Sequence, residues 1–218
     1  MIASKLLTRI LPVAAVTAGL LVAAPAADAG KKKTVKATIA LGDKRPAKAR
    51  IHAKKAKKSK ARASVTCANT DLMPTPDNLE LIEDAILCLH NKIRAERGLP
   101  SLRRNSKLAK AAASHSSDMV SEGYFDHTSL DGDTFVDRIL RAGYTKRNAG
   151  WTLGENIAWG TGELSTPAQV MEAWMNSSGH RANIVKKAYR DLGIGIRLGV
   201  PSDSGVGATI TADFGAKL

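Results

Sequence analysis

The positive charge of this chain is confined to one stretch, and that stretch fixes where a core can form. Residues 30–63 carry 14 Lys and Arg against a single acid, Asp43, whereas residues 64–218 carry 17 basic and 18 acidic side chains. A run built from Lys and Ala, with no aromatic and few large apolar residues, buries too little surface to offset the entropy of ordering it. It reads as a disordered cationic linker, Lys31-Lys32-Lys33 and Lys54-Lys55 being typical of it. Folding is left to residues 64–218, a length that suits one domain. With only two cysteines in the chain, neither a disulfide-dominated scaffold nor a four-thiolate zinc site is available, so the domain must be held mainly by its own core.

Residues 1–29 have the parts of a secretory signal: Lys5 and Arg9 at the start, an apolar stretch from Ile10 to Ala24, and small residues around Ala27-Asp28-Ala29. Cleavage before Gly30 would deliver an extracellular or wall-associated protein. No later window is long and apolar enough to span a bilayer. Outside the cell the basic arm would attract an anionic cell-wall polymer or membrane surface, more weakly as salt rises. A solubilising linker is the bland alternative. Nucleic acid is an unlikely partner, because the arm has no aromatics for base stacking and the domain no basic recognition helix.

Within the domain, Thr75-Pro76-Asp77 reads as a helix start, followed by Leu79, Ile82, Ile86, Leu89 and Ile93 on one stripe, which Leu81, Ala85 and Cys88 widen; Gly98 and Pro100 end it. A second helix is expected over residues 106–122, with Leu108, Ala112, His115 and Met119 inward. His115 on such a stripe reads as a hydrogen-bonded packing residue rather than a ligand. A short third helix spans about 134–142, and a fourth starts at Thr166-Pro167 and buries Val170, Met171, Trp174 and Met175. The period then changes to two: residues 192–198 and 208–214 alternate as an antiparallel hairpin, and residues 151–159 add a strand or extended segment. The sum is an α+β domain with helices covering a small antiparallel sheet. Cys67 lies just before the first helix and Cys88 on it; in an exported protein the two are expected to pair.

Four motifs carry a resemblance. Tyr124-Phe125-Asp126-His127-Thr128-Ser129, Gly154-Glu155-Asn156-Ile157-Ala158, Trp174 through Ser178-Gly179-His180-Arg181-Ala182-Asn183-Ile184, and Leu192-Gly193-Ile194-Gly195 resemble, in order, the signatures of the CAP superfamily, most closely its bacterial SCP-like branch. The superfamily groups cysteine-rich secretory, antigen 5 and plant pathogenesis-related proteins. The resemblance covers about residues 79–215 and implies an αβα sandwich with a cleft lined by two histidines and two acids, sometimes holding zinc. His127 and His180 match the cleft histidines and Glu155 the acid of the Gly-Glu-Asn motif. The second acid of the family pattern would stand at Ser177, so the tetrad is incomplete.

His127, Glu155 and His180 could together hold zinc or another divalent metal as a two-His, one-carboxylate site. They lie too far apart in sequence to form a local metal motif. His180 could instead brace a helix start, and Glu155 could accept backbone N–H groups in a tight loop. The leading functional expectation is a secreted module whose cleft binds a small or lipid-like ligand or a divalent ion, since members of the superfamily bind varied ligands such as sterols and fatty acids. The alternative is a zinc-dependent hydrolase of cell-wall peptide or protein, lacking an evident general base without the second acid. A serine nucleophile at Ser177 or Ser178 lacks the G-x-S-x-G context. A third possibility is an adhesion protein with a vestigial cleft.

Overall fold

The computed structural model describes residues 65–202 and 205–218. The expected signal segment and cationic linker, residues 1–29 and 30–63, lie outside the described residues.

Helix α1 (Leu79–Glu96) starts later than the sequence suggests. Thr75-Pro76-Asp77 forms a turn ahead of it, because the Asn78 side chain folds back to accept the Thr75 N–H and to donate to the Met73 carbonyl. The inward face of α1 carries Ile82, Ala85 and Ile86, together with His90 and Arg94; Leu81 stays exposed, so the widening stripe is narrower than expected. A two-residue strand β1 (Arg103–Arg104) follows, then α2 (Ser106–Glu122), capped by the Asn105 side chain and ended by Gly123 at φ 67°. Helix α3 (Phe135–Arg141) carries a reciprocal capping box between Thr134 and Asp137. Strand β2 (Trp151–Thr161) leads through a 3-10 turn into α4 (Pro167–Asn176), and Ser177 separates α4 from α5 (Ser178–Ile184). Strands β3 (Asp191–Leu198) and β4 (Gly207–Lys217) complete the domain.

The sheet order is β1-β3-β4-β2. The expected β3–β4 hairpin is present, and β2 pairs antiparallel with β4 along its whole length. Only the short β1 departs from the antiparallel expectation, running parallel to β3 at the edge. Helices cover both faces. Ile82, Ile86, Val170, Trp174 and Ile184 from α1, α4 and α5 pack with Leu192, Ile194, Ile210 and Phe214 on one side. On the other, Leu108, Ala111 and Ile139 from α2 and α3 pack with Tyr144 and Leu153. This is the αβα arrangement, and every residue from Ala208 to Ala216 in the central β4 is buried.

Two glycines explain how closely α2 lies on the sheet. A Cβ on Gly193 would stand 2.0 Å from the Ala109 nitrogen, and one on Gly195 would stand 2.1 Å from the Ala113 nitrogen. The helix backbone thus rests directly on β3, and the Leu-Gly-Ile-Gly motif is a packing surface: Leu192 and Ile194 to one core, the glycines to the other. Cys67 and Cys88 form the expected disulfide. The tethered segment also supplies the Thr70 carbonyl to the Ala168 N–H in the first turn of α4, where no helical partner exists.

Candidate functional site

Glu155 lies in the middle of β2 with its side chain fully buried. Both carboxylate oxygens are occupied: His127 Nδ1 lies 2.8 Å from Oε1, and Arg138 Nη2 lies 2.8 Å from Oε2. Burial alone would raise the Glu155 pKa, but the His127 hydrogen bond and the charges of Arg138, His115 and His127 outweigh it and leave the group below its ordinary value. It is a carboxylate held ionised in the interior.

Arg138 is one of two site residues that the sequence did not mark. From α3, and 6% exposed, it donates to the Ser129 hydroxyl, the Asp133 and His127 carbonyls and Glu155. It therefore fixes both the loop that carries His127 and the carboxylate that His127 meets. Nothing in the heptapeptide FVDRILR marks the first of its two arginines as the buried one.

His180 reaches the same place from α5. The motif asparagines set its position: Asn156 Nδ2 donates to the His180 carbonyl, and Asn183 Nδ2 donates to both the Glu155 carbonyl and Asn156 Oδ1. The Gly-Glu-Asn and His-Arg-Ala-Asn motifs are thus two halves of one clasp between β2 and α5. Gly154 belongs to it too, since a Cβ there would stand 2.1 Å from the Tyr189 hydroxyl, which donates to the Leu153 carbonyl. The His180 side chain is fully buried, and burial, with the nearby His127 charge, lowers its pKa to about 4. The His127 ring meets the Glu155 carboxylate directly, and His180 stands near enough to His127 to feel its charge. Ser177 sits half-buried between α4 and α5, its side chain making no capping bond.

A second acid is present, though from another element. Asp213 on β4 is the direct cross-strand partner of Glu155 and is 0% exposed. Among the described residues no hydrogen-bond donor meets either of its oxygens, and burial followed by the Glu155 charge raises its pKa well above the carboxylate range. Asp213 is thus the neutral acid beside an ionised one. His115, buried on α2, bonds through Nε2 to the Asp126 carbonyl and so packs as its stripe suggests.

Chemically, the site is an imidazole oriented by a carboxylate. An ionised Glu155 can only accept, so His127 Nδ1 carries the proton and the opposite ring nitrogen is the free one. Among the described residues, His127 Nε2 and both nitrogens of His180 are buried and meet no hydrogen-bond partner. A zinc centre using all three expected ligands does not fit this donor set. Glu155 is fully engaged by Arg138 and His127, and among the described residues no group of three or more His, Cys, Asp or Glu side chains is placed to share a metal ion.

Comparison with known proteins agrees with the α+β fold. YkwD of Bacillus subtilis is 36% identical over 137 residues, which cover 63% of this chain and 50% of YkwD. An extracellular SCP-domain protein of Bacillus anthracis has a solved structure with a TM-score of 0.50 at 32% identity, covering 65% of this chain and 43% of that one. An outer surface protein of Borrelia burgdorferi shares the fold at a TM-score of 0.51 and 19% identity, covering 67% of this chain and 97% of that one. The chain spans half or less of the two Bacillus relatives' own length. Residues 87–208 match the CAP family, described as the Cysteine-rich secretory protein family, and the chain belongs to that family.

Proposed function

We propose that this CAP-domain protein is an exported binding module whose cleft takes a small or lipid-like ligand by an uncharged, hydroxyl-type head. The observation that carries this reading is the trio of unpartnered ring nitrogens on His127 and His180 above a carboxylate already satisfied by Arg138. Each buried polar group without a partner costs roughly 1–3 kcal/mol, so a ligand that supplies the missing bonds gains that much. A neutral imidazole offers one donor and one acceptor, and a hydroxyl matches both. Charge points the same way. The Arg138 guanidinium and the His127 imidazole both answer Glu155, Asp213 is neutral, and a neutral His180 adds nothing, so a charged head would enter a dry site with no counter-charge to spare. Residues 1–29 would direct export, and residues 30–63 would hold the module near an anionic surface. Zinc hydrolysis finds less support, because its carboxylate ligand would first have to leave Arg138.

Calorimetric titration of the secreted chain with a long-chain primary alcohol, the matching fatty acid and a zinc salt tests this. The alcohol should bind saturably and more tightly than the acid, and His127→Ala and His180→Ala should each abolish the binding. Stoichiometric zinc binding lost in the same variants, with no alcohol binding, would overturn the reading in favour of the metal.

A further inference from the structure

Away from the histidine cleft, three strand ends bring basic side chains to one open cavity of about 460 Å³, lined by Arg103, Arg104, Asn105, Arg190, Asp191 and Lys217. The concentration is local, since the 17 basic and 18 acidic side chains of residues 64–218 nearly cancel. The single acid of the cavity is already engaged. Asp191 Oδ1 accepts from Arg103 at 3.1 Å and Oδ2 from the Tyr144 hydroxyl at 2.8 Å. Arg104 is paired with Glu83 and Asp84 on α1. Among the described residues, no acid pairs with Arg190 or Lys217. The Arg190 guanidinium bonds only to the Lys187, Ala188 and Tyr189 carbonyls, and the Lys217 ammonium lies 5.1 Å over the Tyr144 ring.

Two further features add positive potential of the same sign. Arg94, fully buried, is satisfied solely by the carbonyls of Pro100, Ile184, Lys186 and Tyr189, and its charge is felt together with that of Arg190. Asn105 in the cavity wall is the N-cap of the 17-residue helix α2, whose positive dipole end therefore meets the cavity. Guanidiniums that fork, an ammonium, and a helix N-terminus are together the donor set that recognises a tetrahedral oxyanion.

We infer that this cavity at the β1–β3–β4 edge is a phosphate-binding site, built by Arg103, Arg190 and Lys217 and independent of both the histidine cleft and the cationic linker. The phosphate could belong to a small phosphorylated molecule or to a repeating phosphodiester polymer outside the cell. In the second case the folded domain itself grips a surface that the linker reaches only by non-specific attraction.

The test is a site-resolved nuclear magnetic resonance titration of the full secreted chain with inorganic phosphate, then with glycerol phosphate and a glycerol-phosphate oligomer. The resonances of Arg103, Asn105, Arg190 and Lys217 should shift saturably. In the double variant Arg190→Gln/Lys217→Gln affinity should fall at least about ten-fold, whereas Arg190→Lys/Lys217→Arg should keep most of it. Both side chains are exposed, and what the variants give up is the Arg190 bonds to three carbonyls and the Lys217 contact with the Tyr144 ring. An oligomer that binds at least ten-fold tighter than the monomer identifies the polymer as the source, and equal affinities identify the small molecule. Shifts confined to residues 30–63, or pocket shifts unchanged in the glutamine variant, would overturn the assignment.

Discussion

Glu155 on β2 and Asp213 on β4 face each other directly across the sheet, both buried, yet the protein ionises only one of them. Two carboxyls this close and this dry cannot both carry charge. His127 and Arg138 reach Glu155 and no donor reaches Asp213, so Glu155 takes the charge and Asp213 keeps a proton.

That proton has a stability consequence. An acid whose pKa is raised in the folded state binds a proton that the unfolded chain releases, so its contribution is favourable below about pH 4 and is lost as pH rises. Asp213→Asn keeps the shape and removes this linkage. The variant should be more stable than the wild type at pH 7, and the difference should shrink towards pH 3.5. Urea denaturation at the two pH values measures it; a gain at pH 3.5 equal to that at pH 7 would contradict a protonated Asp213.

Arg138 should be far less replaceable. Arg138→Ala leaves Glu155 as a buried carboxylate with a single partner and frees the Ser129 hydroxyl and the carbonyls of His127 and Asp133. Breaking a buried pair in this way costs on the order of 3–5 kcal/mol. Arg138→Lys should recover only part of it, because one ammonium cannot follow a two-nitrogen fork to four acceptors. Equal stability of the lysine variant and the wild type in chemical denaturation would show that charge alone matters.

Much of this site was legible in the sequence, and the parts that were not share a cause. His127, Glu155 and His180 stood in motifs, and the helices around them in apolar periods. Arg138 and Asp213 were hidden because their meaning depends on long-range pairing. The sequence pattern joins β3 to β4 through a short loop, but nothing local says that β2 lies against β4, and only that register puts Asp213 beside Glu155. One signal was available: Asp213 interrupts a strand that up to its last residue, Lys217, is otherwise composed of Ala, Thr, Ile, Phe and Gly, in a chain position where both faces are covered. The cap at Asn78 was misplaced for a different reason. Thr75-Pro76-Asp77 has the chemistry of a helix start and equally that of a turn, and the choice falls to the Asn78 side chain.

Acid should weaken the fold through two buried histidines. Burial lowers both His90 and His180 to about 4, so between about pH 6.5 and 4 the unfolded chain takes up protons that the folded protein refuses. Their contribution is therefore complete above pH 6.5 and lost as pH falls towards 4, on the order of 3 kcal/mol for each. His90→Phe, which preserves the ring contacts to Trp174 and Phe214, should flatten this dependence without touching the cleft. An unchanged slope of stability against pH in that variant would remove His90 as a cause.

The glycines of β3 give the sharpest contrast between space and backbone. Gly195→Ala would drive a methyl to 2.1 Å from the Ala113 nitrogen and 2.3 Å from the Ala112 carbonyl carbon, both backbone atoms of α2. A helix cannot yield at one residue, so it must lift off the sheet, taking the hydrogen bonds from Ser116 to the Gly195 carbonyl and the Thr211 hydroxyl with it. The cost should reach or pass the upper end of the ordinary overpacking range, about 3 kcal/mol. Gly123→Ala is the control: nothing lies within 4 Å of the added Cβ, and only the left-handed φ of 67° opposes it, about 1–2 kcal/mol. The two alanine variants, compared by thermal unfolding, should differ in that order. The reverse order would mean that α2 does not rest on β3 through its glycines.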